Sequence, residues 1–405
     1  MIEKKLYPIK FIPVASRMPW GGDALINILG KSFVECDEEG NEVKLGPDVK
    51  IGVSSELSDM GFVDSVIENG WLAGNTIGEL METYLERIVG EKVYNYYGRQ
   101  FPVLIKFLDI NDRISVQVHP DDEIAAERYD SLGKAEAWYI LDAKPGAKIY
   151  AGFNKDMTAQ ELYDRCKNGT VEEVMNVIVP KKGDSLIIPP GTVHSAGGGI
   201  LIAEVQESSD LTFRLYDWGR EFNPATARKL HLEEAIDIID YNAFNPELYK
   251  KGPLWGESDH QHTVETLVES PEFNVAKLNL TDPLHIYTEK FESFIIYICT
   301  EGAASVQVPS VNEKGEACMD SYEISKGETI LIPAELPDFY LVPRDRETVL
   351  LEAVTRPVEE LDEYIDPTTE AFLENEDYEG AEDEGDDDDE FGDSPAGASP
   401  LNFFS

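Results

Sequence analysis

One short pattern occurs twice in this chain and restricts the folds that it can adopt. A glycine, five further residues and a proline make up residues 183–189, and the same arrangement returns at residues 327–333. Each copy predicts a turn, a buried strand and a second turn, because short apolar runs between Gly and Pro are typical of core strands. The repeat predicts two related β units, for which a chain of 405 residues has room.

The sequence around these two copies is also mainly β. Short runs rich in apolar and β-branched residues, bounded by Gly, Pro or Asp, indicate the strands of a sandwich or barrel. The clearest runs are residues 101–107, 137–141, 185–188, 200–205 and 294–298. We therefore expect a mainly β fold with two barrels and a few inserted helices.

Helical signals interrupt the predicted strands at four places. Residues 76–88 carry apolar side chains at helical spacing. Thr158 and Thr170 are each followed three residues later by a glutamate, which is the signature of a capping box at the start of a helix. A further helix is predicted at about residues 227–241, before a connector at residues 251–263 that contains Gly, Pro and His.

These elements predict three segments. Residues 1–250 form a first barrel with helical insertions, residues 251–357 form a second barrel, and residues 358–405 form a tail. Between residues 359 and 393 there are 19 Asp and Glu and no Lys or Arg. Such a segment repels itself and has little apolar surface to bury, so we expect the tail to be disordered.

The net charge of −45 narrows the range of partners. Proteins that bind nucleic acids or anionic membranes present basic surfaces, so neither partner is expected, whereas a small anionic substrate needs only a few local cations. The N-terminal residues lack the apolar run of a secretory signal, and no run approaches the roughly 18 residues of a membrane span. The four cysteines stand far apart, without a CxxC pair. These features predict a cytoplasmic protein with reduced thiols.

Four polar residues form the pattern that carries chemistry. Gln117 and His119 stand two apart in a predicted strand, so their side chains point to one face. Glu136 lies at the next predicted strand, and His194 follows the first copy of the repeated pattern. Two imidazoles, one carboxylate and one amide oxygen suit zinc or a similar divalent metal. Core histidines without a ligand are the alternative, and the spacing of the whole set favours the metal.

Several motifs resemble those of known proteins. The arrangement Gly-x5-Pro-x-Gly-x2-His, which ends at His194, resembles the second motif of the cupin superfamily, whose members are double-sheet jelly rolls. Other stretches resemble type I mannose-6-phosphate isomerase (phosphomannose isomerase), a family in which Gln replaces the first histidine of the usual cupin His-x-His, as Gln117 does here. The resemblance covers residues 10–220 well and the second barrel only by architecture. The matching stretches are residues 20–22, 101–109, 114–122, 133–139, 189–195 and 204–217.

This resemblance implies a metal-dependent enzyme with one zinc ion per chain, held by Gln117, His119, Glu136 and His194. It implies interconversion of mannose 6-phosphate and fructose 6-phosphate. In this reaction the sugar ring opens and a proton moves between C2 and C1 through an enediol.

The resemblance also implies the residues around a phosphorylated hexose. Lys134, Glu204 and Arg214 are the implied catalytic residues, and Glu204 or Lys134 is the candidate base. Arg214 is the candidate for proton transfer or for stabilising the intermediate. Phosphate requires cationic or hydroxyl donors, which Ser115, Lys134 and Arg214 can supply.

One segment departs from the family. The usual Gly-Glu-Ser-Trp near the first barrel is replaced by Gly-Val-Ser-Ser-Glu at residues 52–56, at what we expect to be the pocket wall. The departure keeps open an alternative function, a non-catalytic sugar-binding or regulatory bicupin. An oxygenase on the same fold is disfavoured, because iron dioxygenase cupins generally use more histidines than this site offers.

The second copy of the repeat keeps the strand and loses the ligands. Glu335 stands at the spacing of Gly191, and Asp338 stands at the spacing of His194. Nothing near residues 291–297 resembles Gln-x-His, so the second barrel is predicted to be metal-free. The remaining histidines are not expected to bind metal: His231, His260, His262 and His285.

Overall fold

The computed structural model describes residues 4–36, 41–61, 63–225, 227–244, 263–312 and 314–355. This part of the chain contains 22 strands and six α-helices. The strands are β1 (Val14–Ser16), β2 (Val34–Cys36), β3 (Glu42–Lys44), β4 (Val53–Leu57), β5 (Val103–Ile110), β6 (Val116–Val118), β7 (Glu136–Ala143), β8 (Lys148–Phe153), β9 (Met175–Ile178), β10 (Ser185–Ile188), β11 (His194–Gly197), β12 (Ile200–Glu207), β13 (Phe213–Tyr216), β14 (Thr263–Glu269), β15 (Asn274–Leu280), β16 (Leu284–Tyr287), β17 (Ile295–Glu301), β18 (Ala303–Val311), β19 (Ala317–Ser325), β20 (Thr329–Ile332), β21 (Asp338–Pro343) and β22 (Thr348–Val354). The α-helices are α1 (Ala24–Asn27), α2 (Ile77–Tyr84), α3 (Glu86–Val89), α4 (Glu91–Tyr97), α5 (Asp122–Tyr129) and α6 (Ala159–Asn168). Short 3-10 helices cover Gly70–Leu72, Val171–Val174, Arg220–Phe222 and Thr288–Lys290.

Two antiparallel sheets face each other in the first half of the chain, and we call them the first sheet pair. The strand order is β1-β4-β5-β12-β7-β10 in one sheet and β13-β6-β11-β8-β9 in the other. Apolar side chains from both sheets fill the space between them, such as Ile140 and Ile202 from one and Ile149 and Ala196 from the other. Alternate residues of these strands therefore face inward, as the pleat requires.

A second sheet pair repeats this arrangement in residues 263–354. Its sheets have the orders β14-β15-β22-β17-β20 and β16-β21-β18-β19. Tyr297 and Leu350 from one sheet and Val306 and Phe339 from the other lie in a common apolar core. The mainly β prediction is confirmed.

A third apolar core joins the two pairs. It includes Phe107 on the outer side of β5 and Ile296 on the outer side of β17, together with residues of helices α2 to α4. Ile9 and Leu331 also exchange two backbone hydrogen bonds of 2.8 Å, which tie the N-terminal segment to β20. Both sheet pairs accordingly lie in one compact unit.

The repeated pattern forms the same element in both pairs. β10 lies antiparallel to β7 at the edge of the first pair, and β20 lies antiparallel to β17 at the edge of the second. The predicted domain boundary at residues 250/251, the connector with His260 and His262, and the predicted disordered tail lie outside the described residues.

Two of the helix predictions hold and two are wrong. Thr76 caps α2 through a full capping box with Glu79, although the helix is interrupted at Leu85 before α3 begins, and Thr158 caps α6 by accepting from the Glu161 backbone. Thr170 makes no side-chain cap and precedes only a 3-10 turn.

The predicted helix at residues 227–241 is a series of turns. Two of its backbone N–H groups bond to residues of the first sheet pair and its loops, His231 N to Arg214 O at 2.7 Å and Asp240 N to Gly191 O at 2.9 Å, whereas Ala235 N bonds within the segment to His231 O at 3.0 Å. Tertiary hydrogen bonds thus replaced the helical ones at His231 and Asp240. No helix in the described part of the chain is long and apolar enough to cross a bilayer.

Candidate metal centre

The predicted ligands come from four places in the first sheet pair. Gln117 lies in β6 and His119 follows that strand directly, whereas Glu136 begins β7 and His194 begins β11. Gln117 and His194 are direct partners in the antiparallel register of β6 and β11. Strand alternation turns these side chains inward, since the adjacent residues Val116 and Val118 face an outer apolar core.

His119, Glu136 and His194 form a buried cluster whose ligand atoms all lie within 4.8 Å of one another. The distance from His119 Nε2 to Glu136 Oε1 is 3.1 Å, and from His194 Nε2 to Glu136 Oε2 it is 3.5 Å. Among the described residues this is the single cluster of three or more His, Cys, Asp or Glu close enough to share an ion.

The protonation of the two imidazoles leaves their Nε2 atoms available as metal ligands. Burial lowers the pKa of His119 to about 4 and lowers the pKa of His194 as well, so both rings are neutral near pH 7. Their Nδ1 atoms lie 2.7 Å from Leu211 O and 2.9 Å from Thr192 O. A carbonyl oxygen only accepts, so each Nδ1 carries the hydrogen and each Nε2 presents a lone pair.

These lone pairs point at a carboxylate. Although burial would raise the pKa of Glu136, protonated His119 at low pH and the Lys134 ammonium group 3.7 Å away hold that pKa below its ordinary value, so near pH 7 the carboxyl group is ionised beside two neutral imidazoles. Within the described residues, His119 Nε2 and Glu136 Oε2 have no hydrogen-bond partner. Electron pairs facing one another without a proton between them are unfavourable, and a divalent cation removes this cost. The residues present therefore fit a metal ion.

Gln117 can complete this set after a rotation of its amide. Its Nε2 lies 3.3 Å from His194 Nε2, and its Oε1 accepts a hydrogen bond from Ser115 Oγ at 3.0 Å. A rotation of 180° exchanges the two amide atoms and presents the oxygen to the cluster. Ser115, predicted to contact substrate, is buried beside this ligand.

Charged side chains surround the cluster on the inner face of the six-stranded sheet. Lys134 Nζ lies 3.7 Å from Glu136 Oε1, and Lys106 Nζ lies 3.9 Å from Glu204 Oε2. Glu204 Oε1 also accepts from Trp138 Nε1 at 2.8 Å. Burial, followed by the charge of Glu136, raises the pKa of Glu204 to about 6. A carboxyl group with this pKa can accept and return a proton near neutral pH.

Lys106 was not among the predicted site residues. It is the direct neighbour of Glu204 in the register of β5 and β12, and its Nζ donates to Gln206 Oε1. Burial, followed by the charge of Lys134, lowers the pKa of Lys106 to about 8. A lone lysine inside the apolar strand Val103–Ile110 was the signal available in the sequence.

Arg214 lies opposite Gln117 in the register of β13 and β6. Its Nη1 donates to Lys229 O at 2.9 Å, while its buried Nε has no hydrogen-bond partner in the described part of the chain. Burial, followed by the nearby Arg228, lowers the pKa of Arg214 to about 10, which leaves the guanidinium charged near pH 7. The structure thus places Arg214 on the strand that adjoins the candidate ligand Gln117.

The departure at residues 52–56 alternates between the two sides of β4, since Val53 packs against the inner core whereas Ser54 pairs with the outward Phe107. Glu56 Oε1 is 2.7 Å from Lys31 Nζ, both side chains are at most 6% exposed, and Ser54 Oγ donates to the same carboxylate oxygen at 2.5 Å. Ser55, by contrast, is the register partner of Lys106. The acidic residue of this segment is therefore a buried ion-pair partner, and Ser55 is the residue of the segment that lies on the side of Lys106.

The second sheet pair has different residues at the corresponding positions. Glu136 pairs with Ile188 in β10, and the residue that pairs with the equivalent Ile332 in β20 is Ile295. Phe339 faces the interior of this pair, whereas Asp338 accepts from His285 Nε2 at 2.7 Å on a partly exposed face.

Two further acidic residues of the second pair are engaged elsewhere. Glu335 forms an ion pair with Arg87 at 2.6 Å, and Glu292 forms one with Lys92 at 2.9 Å. Glu335 and Glu292 thus form ion pairs with α3 and α4, and they do not form a second metal cluster with each other.

The fold and the cluster together define a class. Two antiparallel double-sheet units, with two imidazoles and a carboxylate converging inside the first, are a duplicated cupin fold with one candidate divalent-metal centre.

Comparisons with known proteins identify the family within this class. The family model for the type I phosphomannose isomerase catalytic domain matches residues 63–146. Mannose-6-phosphate isomerase ManA of Bacillus subtilis is 32% identical over 335 residues, which are 82% of this chain and 95% of that protein. Mannose-6-phosphate isomerase of Streptococcus mutans is 31% identical over 269 residues, 66% of this chain and 78% of that protein. This chain belongs to the type I phosphomannose isomerase family.

Solved structures agree with this assignment. The mannose 6-phosphate isomerase from Bacillus subtilis superposes with a TM-score of 0.70 at 28% identity, over 85% of this chain and 99% of that one. A phosphomannose isomerase variant from Salmonella typhimurium shares the fold alone, with a TM-score of 0.63 at 14% identity over 86% of this chain and 99% of that one.

Proposed function

We propose that this chain interconverts mannose 6-phosphate and fructose 6-phosphate through an enediol. The observation that carries the proposal is the buried His119–Glu136–His194 cluster beside Lys106, Lys134 and Glu204. Metal ligands and ionisable groups of both signs lie there in one enclosed space, which is typical of acid–base catalysis with charge stabilisation.

Zinc is the metal that we propose for this cluster. Its ligands would be Gln117, His119, Glu136 and His194, a nitrogen and oxygen set that suits zinc. When bound, it would polarise the carbonyl oxygen of the open-chain sugar and stabilise the negative charge of the enediolate.

The residues of the chain divide the remaining tasks. Glu204 would take a proton from one carbon and return it to the next, because its raised pKa of about 6 leaves it partly ionised in the working range. Lys134 and Lys106 would hold charge that develops on the sugar oxygens. Arg214 stays protonated near neutral pH, so we assign it to stabilisation of the intermediate instead of proton transfer.

The phosphate group of the substrate requires donors near the pocket. Lys134 and Arg214 supply positive charge, and Arg214 Nε is buried with its hydrogen-bonding capacity unused among the described residues. Ser115 would join them only by exchanging its hydrogen bond to Gln117. Phosphate binding is therefore the alternative role for Lys134 and Arg214, because one side chain cannot hold the phosphate and the reacting carbons of the open-chain sugar at the same time.

We also propose that the protein works in the cytoplasm. Cys166, Cys299 and Cys318 are free thiols, which suits a reducing compartment.

A coupled assay that follows fructose 6-phosphate formed from mannose 6-phosphate tests the function. Turnover that is lost with a chelator and restored by zinc is the expected result. Binding of the sugar phosphate without turnover at any divalent metal would instead support the non-catalytic bicupin.

A further inference from the structure

Glu207 is the last residue of β12, and its buried carboxyl group accepts a hydrogen bond from the backbone of Ala135. It is 1% exposed, and its Oε2 accepts from Ala135 N at 2.7 Å. Its own backbone N donates to Ala135 O at 3.2 Å. Glu207 therefore binds both backbone polar groups of Ala135, the residue that separates Lys134 from Glu136.

The residues just before Ala135 are held from the side of α5. Gly133 N donates to Asp122 Oδ1 at 2.7 Å, and Lys134 N donates to Pro120 O at 3.0 Å. A Cβ on Gly133 would lie 2.6 Å from Asp122 N, so the approach of the two segments depends on glycine. Three consecutive N–H groups are thus bound to groups outside their own segment.

The surroundings of Glu207 explain how a second acid can lie beside it. Burial, followed by the charges of Asp122 and Glu272, raises the pKa of Glu207 well above its ordinary value, and burial with Glu207 raises the pKa of the adjacent Tyr97. A neutral carboxyl group has one O–H donor and one acceptor oxygen. The acceptor serves Ala135, and the donor can serve Asp122.

We propose that Glu207 is a positioning residue, whose carboxyl group presets the peptide between Lys134 and Glu136 for metal binding and catalysis. Glu207 contacts neither the cluster nor the pocket cations directly, and it acts through Ala135. Because Glu136 supplies the carboxylate of the cluster and Lys134 lies 3.7 Å from it, a small shift of this peptide displaces both. The inference rests on the proposed function for the role of Lys134.

The test compares Glu207→Ala with Glu207→Gln in the full chain. The amide of Gln offers an acceptor oxygen for Ala135 N and an NH₂ group that can donate to Asp122, so this variant should keep zinc affinity and kcat/KM within about threefold. Glu207→Ala should weaken zinc binding, measured by chelator competition, by about 10- to 100-fold, the range typical of partners that orient a metal ligand. Amide hydrogen exchange at Ala135 should accelerate in the same variant.

Asp109→Ala is the matched control. Asp109 is a similarly buried carboxylate that accepts a backbone amide, Ala24 N at 2.6 Å, on the outer side of β5. The Asp109→Ala variant should have a lower melting temperature and an unchanged zinc affinity. If Glu207→Ala behaved like this control, with stability reduced and zinc affinity intact, Glu207 would be merely structural.

A measurement on the unmodified protein covers the case in which Glu207→Ala does not fold. After chelation the Ala135 N–H should remain protected from exchange, because its hydrogen bond to Glu207 does not involve the metal. Rapid exchange at Ala135 in the metal-free protein would overturn the inference. A wild type that binds zinc but lacks isomerase activity would refute the proposed function and leave the zinc-affinity and exchange tests of Glu207 unaffected.

Discussion

The hydroxyl of Tyr297 donates to Glu352 Oε2 at 2.7 Å inside the second sheet pair. The two residues are register partners in β17 and β22, as Trp138 and Glu204 are in β7 and β12 of the first pair. The duplicated scaffold therefore keeps an inward carboxylate on the same strand in both copies. Among the described residues, inward lysines and a candidate metal cluster accompany it in the first copy alone, so the two copies share a frame and differ in the groups that could carry chemistry.

This asymmetry predicts one tightly bound metal per chain. Ile295 and Phe339 occupy inward positions in the second pair, and the one inward carboxylate described above, Glu352, offers too few ligands for a divalent ion. Elemental analysis of protein rinsed with a weak chelator should give one equivalent of metal. Two retained equivalents would contradict the prediction.

Replacing His194 by alanine should abolish isomerase activity while the protein stays folded. The imidazole supplies a ligand that no neighbouring described side chain can replace, whereas the sheets derive their stability from apolar cores. An isomerase assay with added zinc checks the loss of activity, and near-UV circular dichroism checks that the variant is folded. Near-normal turnover with fully bound metal would show that the ligand assignment is wrong.

The site was predictable from the sequence where its geometry is local. Gln117 and His119 are two apart, and strand alternation alone puts them on one face. Lys106 could not be found in this way, because its inward position depends on the register of β5 against β12. Asp338 matches His194 by spacing, yet the neighbouring Phe339 faces the core, and a shift of one residue changes the face of every side chain in a strand.

Activity should depend on pH through Glu204. Since the pKa of Glu204 is raised to about 6 and a base must be deprotonated, kcat/KM should fall about tenfold per pH unit below roughly pH 6. Glu204→Gln should lower kcat by about 10² to 10⁴-fold and remove this acidic limb from the residual activity. If the Glu204→Gln variant kept the acidic limb of the pH profile, the titration would belong to another group.

Deleting residues 359–405 should leave kcat and KM nearly unchanged. This segment carries 19 Asp and Glu without a compensating Lys or Arg, and the anionic substrate gains nothing from such a neighbour. Steady-state kinetics of the truncated and full chains at equal ionic strength provide the comparison. A large rise in KM on truncation would show that the segment contributes to the site.

The buried Lys31–Glu56 pair should contribute to stability and not to chemistry. Glu56→Ala leaves an unpaired ammonium group at a site 6% exposed, which should lower the free energy of unfolding by about 3–5 kcal/mol. Replacing both residues with apolar side chains, Lys31→Met with Glu56→Leu, should recover most of this loss because no charge stays buried. Denaturant unfolding of the three variants measures the stability, and kcat per folded molecule should stay within about twofold throughout. A selective loss of kcat in the double variant, with stability restored, would return residues 52–56 to the pocket wall.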